Sequence, residues 1–229
     1  MSIDRTAETR AALRRPKGWR AWSRTLITCV LVVVAALTVL GSLATTVVTS
    51  TGRMLVTFGG ADPRLPLSSL PQLLQADLRE GASGTLADLD LGMRLLGAAP
   101  SFVHAVTVGL AAWSLVRVLR GVSAAAPFSP RVLKSWTHLT LVLLVGGVVE
   151  ALADTAAVLY LSSRFGLLWT GDGLTPAEKI VFLGGDYMGI GIDVPSWPVP
   201  ILVAGLVALA LTTAFRAGAR LERDVDGVV

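Results

Sequence analysis

One cysteine, Cys29, occurs among the 229 residues. No intrachain disulfide, thiolate metal cluster or Cys-x-x-Cys redox pair can therefore be built. Histidine is nearly as scarce, with only His104 and His138. A helical rise of ~1.5 Å per residue separates these two by roughly 23 Å in depth, which rules them out as axial ligands of one haem. Neither a His-Glu-x-x-His zinc helix nor a Gly-x-Ser-x-Gly nucleophile elbow occurs. Ser42, His104 and Asp154 could be assembled into a triad on paper, but nothing supplies an oxyanion hole or substrate site. The expectation is a non-enzymatic protein with no cofactor and no metal.

Charge is also sparse: 16% of residues are charged and 53% are hydrophobic. A soluble domain of this length would spread its apolar residues in periodic patterns. Here they collect into four long runs, about 25–48, 98–119, 137–161 and 198–215, near the ~20 residues that cross a ~30 Å hydrocarbon layer. The expected fold is an all-α integral membrane protein, with four transmembrane helices in an antiparallel bundle and a partly helical outer loop. A basic arm, 1–24, precedes the membrane domain, 25–229. The first run is too long for the core of a cleaved signal peptide and is expected to be a signal-anchor.

The net charge of +4 is an asymmetry across a membrane. Seven Lys and Arg lie in 1–24, four (Arg117, Arg120, Arg131 and Lys134) at the inner end of the second run and in the loop after it, and three in the tail. That puts fourteen on one side against six on the other, whose loops also hold nine acids. The positive-inside rule makes both termini cytoplasmic. Trp19, Trp22 and Trp136 suit the inner interface, and Trp169 and Trp197 the outer. The arm should lie against the anionic headgroups of the lipid bilayer, with on the order of 1 kcal/mol per basic residue. Topology accounts for its charge, so direct nucleic-acid binding is not expected.

The outer loops are about 49–97 and 162–197. In the first, Leu70, Leu73, Leu74 and Leu78 recur at helical spacing, as do Leu86, Leu89, Met93 and Leu96 after Gly81-Ala-Ser-Gly84. Two short amphipathic helices on the outer face are expected, with a ligand-binding cap as the alternative. In the second, the glycines of 184–193 match neither nucleotide fingerprint and are read as turns.

Glu150 and Asp154 are the only acids inside the spans. A charge near the bilayer centre costs roughly 2.5–3.5 kcal/mol on insertion scales, so such groups face helices, water or a ligand. Spaced i and i+4, they share a helix face with Gly146, Gly147, Ala153 and Ala157, which permit close approach of a neighbour. His104 and Ser42 reach a similar height on their own spans. The candidate site is therefore Ser42, His104, Glu150 and Asp154. It suits a cation, a proton relay or a polar ligand from outside, and equally a hydrogen-bonded network that fixes helix register.

Two stretches are the most recognisable: Gly121-Val-Ser-Ala-Ala-Ala-Pro-Phe-Ser-Pro-Arg-Val-Leu133 and Phe215-Arg-Ala-Gly-Ala-Arg-Leu-Glu-Arg-Asp-Val-Asp-Gly-Val-Val229. They resemble a bacterial family of small four-span membrane proteins catalogued as a domain of unknown function. The family has a Pro-Phe between spans two and three and a closing pattern of Phe, Gly, Leu, an acid and Val. Such proteins are often encoded beside a small helix-turn-helix regulator. The resemblance thus implies the bacterial inner membrane, a sensor role and a cytoplasmic regulator as partner; it carries over no catalytic residues. Phe128, Arg131, Phe215, Leu221 and Val225 form the candidate partner surface. By their chemistry, Pro127 and Pro130 fix a turn, Ser129 suits an N-cap, and the stripe from Phe215 through Leu221 to Val225 extends the last helix. The alternative function is a small transporter or ion- or proton-coupled carrier using the carboxylates; a homo-oligomer would then supply the pathway that four spans lack.

Overall fold

The structure, a computed structural model, describes residues 17–57, 61–123, 129–167 and 173–226. Four long helices dominate it: α1 (Lys17–Thr51), α2 (Leu91–Ser123), α3 (Pro130–Arg164) and, after a short α4 (Pro176–Leu183), α5 (Val199–Asp226). All four long helices have the length and apolar character to cross a membrane. Each is longer than its expected span. The fold is the expected four-helix one.

α1 packs on α2, α2 on α3, and α3 on α5, which leaves the first and last helices at the edges. Small residues set the spacing. Gly146 of α3 lies against the side chain of Thr107 on α2, where any larger residue would collide. A Cβ on Gly147 would come within 2.7 Å of Leu202, and one on Gly205 within 2.7 Å of Leu144, so α3 and α5 interlock through paired glycine notches. A Thr140–Thr212 hydroxyl contact of 3.1 Å adds a polar tie between them. Outward, Val33, Leu37 and Leu40 of α1, Val145 and Leu152 of α3, and Val203 and Leu206 of α5 are exposed. Continuous apolar surface of this kind requires a non-aqueous surrounding.

The most completely buried side chains lie elsewhere, in a cap formed by the two long loops. Leu67, Leu70, Leu73, Leu86, Leu89, Phe182 and Leu183 pack with Met93 of α2 and with Ala157 and Leu161 of α3. Full burial of each large side chain contributes on the order of 1.5–3 kcal/mol. The cap is thus a small soluble-type core seated on one end of α3.

Its secondary structure corrects the expectation for the first loop. Leu70–Leu78 is not a helix: Leu67–Ser69 is a single 3₁₀ turn and Leu73–Leu78 is a strand, β1. It pairs antiparallel with β2 (Tyr187–Ile192) in the second loop, with Ala76 opposite Ile190. The leucine spacing that mimicked a helix arises because Leu67, Leu70 and Leu73 enter the cap core through a turn, while Leu74 and Leu78 face outward. Leu86–Asp88 is a second 3₁₀ turn, and Met93 and Leu96 already belong to α2. The glycine-rich 184–193 segment divides likewise into one turn and a strand. Gly184, at φ 66°, ends α4 in the left-handed conformation.

Helix ends at the cap are fixed locally. Asp90 Oδ1 accepts the Met93 amide at 3.1 Å at the start of α2. Arg94, one turn on, donates to the Thr51 carbonyl at 3.2 Å and so places a cation at the C-terminus of α1. At the opposite end Ser129 takes the N-cap position of α3 with Pro130 following, but its hydroxyl makes no capping bond.

Candidate functional site

The predicted polar residues of three helices meet beneath the cap. Ser42 comes from α1, His104 from α2, and Glu150 and Asp154 from α3; all four line one cavity of ≈ 410 Å³. Its remaining wall includes Gln72 and Ser196 from the two cap loops.

His104 and Glu150 form the tie between α2 and α3. Nδ1 lies 3.0 and 3.2 Å from the two carboxylate oxygens. Against an ionised carboxylate, which only accepts, the bond is made by a ring protonated at Nδ1. The side chains retain 30% and 13% of their surface, so the pair faces the cavity rather than a sealed interior.

Asp154 is used differently. It is buried, and it makes no contact with His104 among the described bonds. Oδ1 accepts Gln72 Nε2 at 3.0 Å, and Oδ2 accepts the Ser196 backbone N–H at 2.6 Å. One carboxylate therefore holds both cap loops to the helix bundle. The next residue reinforces it: Trp197 Nε1 donates to Thr155 Oγ1 at 3.3 Å. The i, i+4 spacing does place both carboxylates on one face, as expected, but the two divide the work between a neighbouring helix and the cap.

Ser42 lies in the same wall without bonding to either acid. Its hydroxyl donates to the Thr38 carbonyl at 2.9 Å, one turn back. Thr38 and Thr45, also in the wall, donate likewise to Val34 and Gly41.

Gln72 and Ser196 were not anticipated. Gln72 is a lone amide in Leu70-Pro71-Gln72-Leu73-Leu74 and is 1% exposed; a polar residue inside an apolar run was the available signal. Ser196 contributes a backbone amide, which no side-chain pattern reveals. Pro100, inside α2 and also in the cavity wall, lacks the N–H that would bond to Leu96.

The second candidate set lies at the opposite, basic end. Arg131 is exposed on the first turn of α3. Phe215 stacks on Trp136 of α3, ring centroids 5.5 Å apart and 24° between planes, and the adjacent Arg216 donates to Thr137 Oγ1 at 3.0 Å. Phe215 thus packs within its own chain, on α3. Leu221 and Val225 fall within α5, which continues to Asp226 as the tail stripe predicted, but their side chains lie outside the described residues. Phe128 lies outside them altogether.

No family model, curated protein or solved structure matches the chain. The likeness to the four-span family rests on the two motif stretches alone.

Proposed function

We propose that this is a non-enzymatic multi-pass protein of a bacterial inner membrane, a sensor that receives a polar ligand under its cap and signals to a cytoplasmic regulator. The observation that carries this reading is the His104–Glu150 pair, partly exposed in a cavity whose roof is held by Asp154 on the same helix. A ligand engaging Glu150 acts one helical turn from the cap's anchor. The same helix, α3, runs to Arg131 and Trp136 at the basic end, where α5 is stacked against it. The excess of Lys and Arg at that end supports a cytoplasmic location for both termini.

Affinity capture from detergent-solubilised membranes tests the partner. A soluble DNA-binding regulator should co-purify with the full chain and be lost on truncation after Arg216; an unchanged set of captured proteins defeats the reading. Reporter fusions after Arg120 and at the C-terminus should report cytoplasm, and a fusion at Ser83 the outside.

The two carboxylates in the cavity also favour a second reading, a small ion- or proton-coupled carrier. Uptake into proteoliposomes that is lost in both Glu150→Gln and Asp154→Asn would replace the sensor with the carrier.

A further inference from the structure

The α1 side of the cavity beneath the cap offers hydrogen-bond acceptors but no free hydroxyl hydrogen. Each α1 hydroxyl in its wall has spent its hydrogen: Thr38 on Val34, Ser42 on Thr38 and Thr45 on Gly41. What these groups have left is lone pairs. Gln72 is oriented by its bond to Asp154, which uses one of the two amide hydrogens and fixes which end is oxygen. Its Oε1 is buried with no hydrogen-bond partner. An orphaned buried acceptor is costly until a donor reaches it.

Charge points the same way. Glu150 faces one group able to carry a positive charge, His104. Asp154 is held by two neutral donors and has no cation among its bonds. With one imidazole against two carboxylates, the ionised site is net negative whether or not the ring is charged. Burying a carboxylate without a counter-charge is costly, and a bound cation would remove that cost.

We infer that this cavity is a binding site for a small organic cation, with a primary ammonium or guanidinium head on a short apolar body. The head supplies the positive charge that the wall lacks, together with N–H donors for the lone pairs left on Thr38, Ser42 and Thr45. Pro71 and Pro100 line the same space and suit an apolar body rather than a bare inorganic ion. A directly ligated metal is the poorer fit: among the described residues no group of three or more His, Cys, Asp or Glu converges to hold one. The volume of ≈ 410 Å³ is at the small end of ligand pockets, which run to ~300–1,000 Å³.

The inference rests on reading the cavity as the sensor's receiving site, and it is tested by binding alone. The full chain in lipid nanodiscs would be titrated with n-butylammonium and n-butylguanidinium chlorides, with n-butanol and sodium chloride as controls, and followed by calorimetry and by melting temperature. At least one of the two cations should bind saturably and raise the melting temperature, and n-butanol should not. Glu150→Gln, which removes the charge, and Ser42→Leu, which fills the space without touching the ion pair, should each weaken binding by about tenfold or more. Absence of saturable binding by both cations, equal binding of n-butanol, or wild-type affinity in both variants would overturn the inference. If neither variant folds, the contrast between amine and alcohol on the wild type decides. Binding with capture of the regulator unaffected by ligand counts against the sensor reading only; regulator capture without cation binding counts against this inference only.

Discussion

Gln72 Nε2 and Asp154 Oδ1 meet at 3.0 Å across 82 residues of sequence, joining the first cap loop to the C-terminal third of a membrane-length helix. Because the second oxygen of the same carboxylate holds Ser196, loss of Asp154 should release both loops together. Asp154→Ala should destabilise the protein by about 1–3 kcal/mol, since it orphans the Gln72 amide and the Ser196 N–H. Gln72→Leu should cost less, because it removes an orphaned oxygen along with the bonded nitrogen. Thermal unfolding of both single variants and the double variant closes a cycle. Additivity would mean the two side chains are not coupled, whereas a direct bond predicts coupling of roughly 0.5–3 kcal/mol.

A second prediction concerns α4, the short helix in the other loop. Glu178 accepts from the Thr175 amide at 2.8 Å and from its hydroxyl at 2.7 Å, forming a capping box. These bonds favour the ionised carboxylate and hold its pKa below the ordinary glutamate value. The sign follows directly. A depressed folded-state pKa gives stability that is present above the unfolded value and lost as pH falls through the folded one. The cap of α4 should therefore loosen only at acidities beyond those that protonate a free glutamate. Carbon-13 NMR titration of the Glu178 carboxyl should show a midpoint below that of an ordinary glutamate, moving up in Thr175→Val. An ordinary midpoint in the wild type would mean the box does not form in solution.

The bundle was legible in the sequence because apolar runs, their lengths and their flanking charges depend on local composition. So was the proximity of Ser42, His104, Glu150 and Asp154, since helical rise alone sets depth. The cap was not. Leu70, Leu73, Leu74 and Leu78 fit a helical period, and no local feature of β1 names a partner more than a hundred residues away. Strand pairing is decided by which loops the bundle brings to the same end, and that is a tertiary fact. For the same reason Glu150 and Asp154 looked like one pair: spacing placed them on one face, but only the cap loops explain why one carboxylate bonds a helix and the other a roof.

The strand pairing that the leucine pattern concealed can be tested by cross-linking. Ala76 and Ile190 are directly opposite in an antiparallel pair, where Cα atoms lie about 4.5–5.5 Å apart. That falls inside the ~4.4–6.8 Å window a disulfide accepts. The chain's one cysteine, Cys29, sits exposed in α1 and can be removed by Cys29→Ala. In that background, Ala76→Cys with Ile190→Cys should form a disulfide under mild oxidation, detectable as a reductant-sensitive link after proteolysis between the two loops. Ala76→Cys with Met188→Cys serves as the register control. Met188 is the residue skipped where the register shifts between Asp77 and Leu78, so it stands opposite no residue of β1 and should cross-link poorly to position 76. Had Leu70–Leu78 been a helix lying on the membrane, neither pair would close preferentially. Equal cross-linking of the two pairs would mean the ribbon has no fixed register, and absence of both would remove the ribbon altogether.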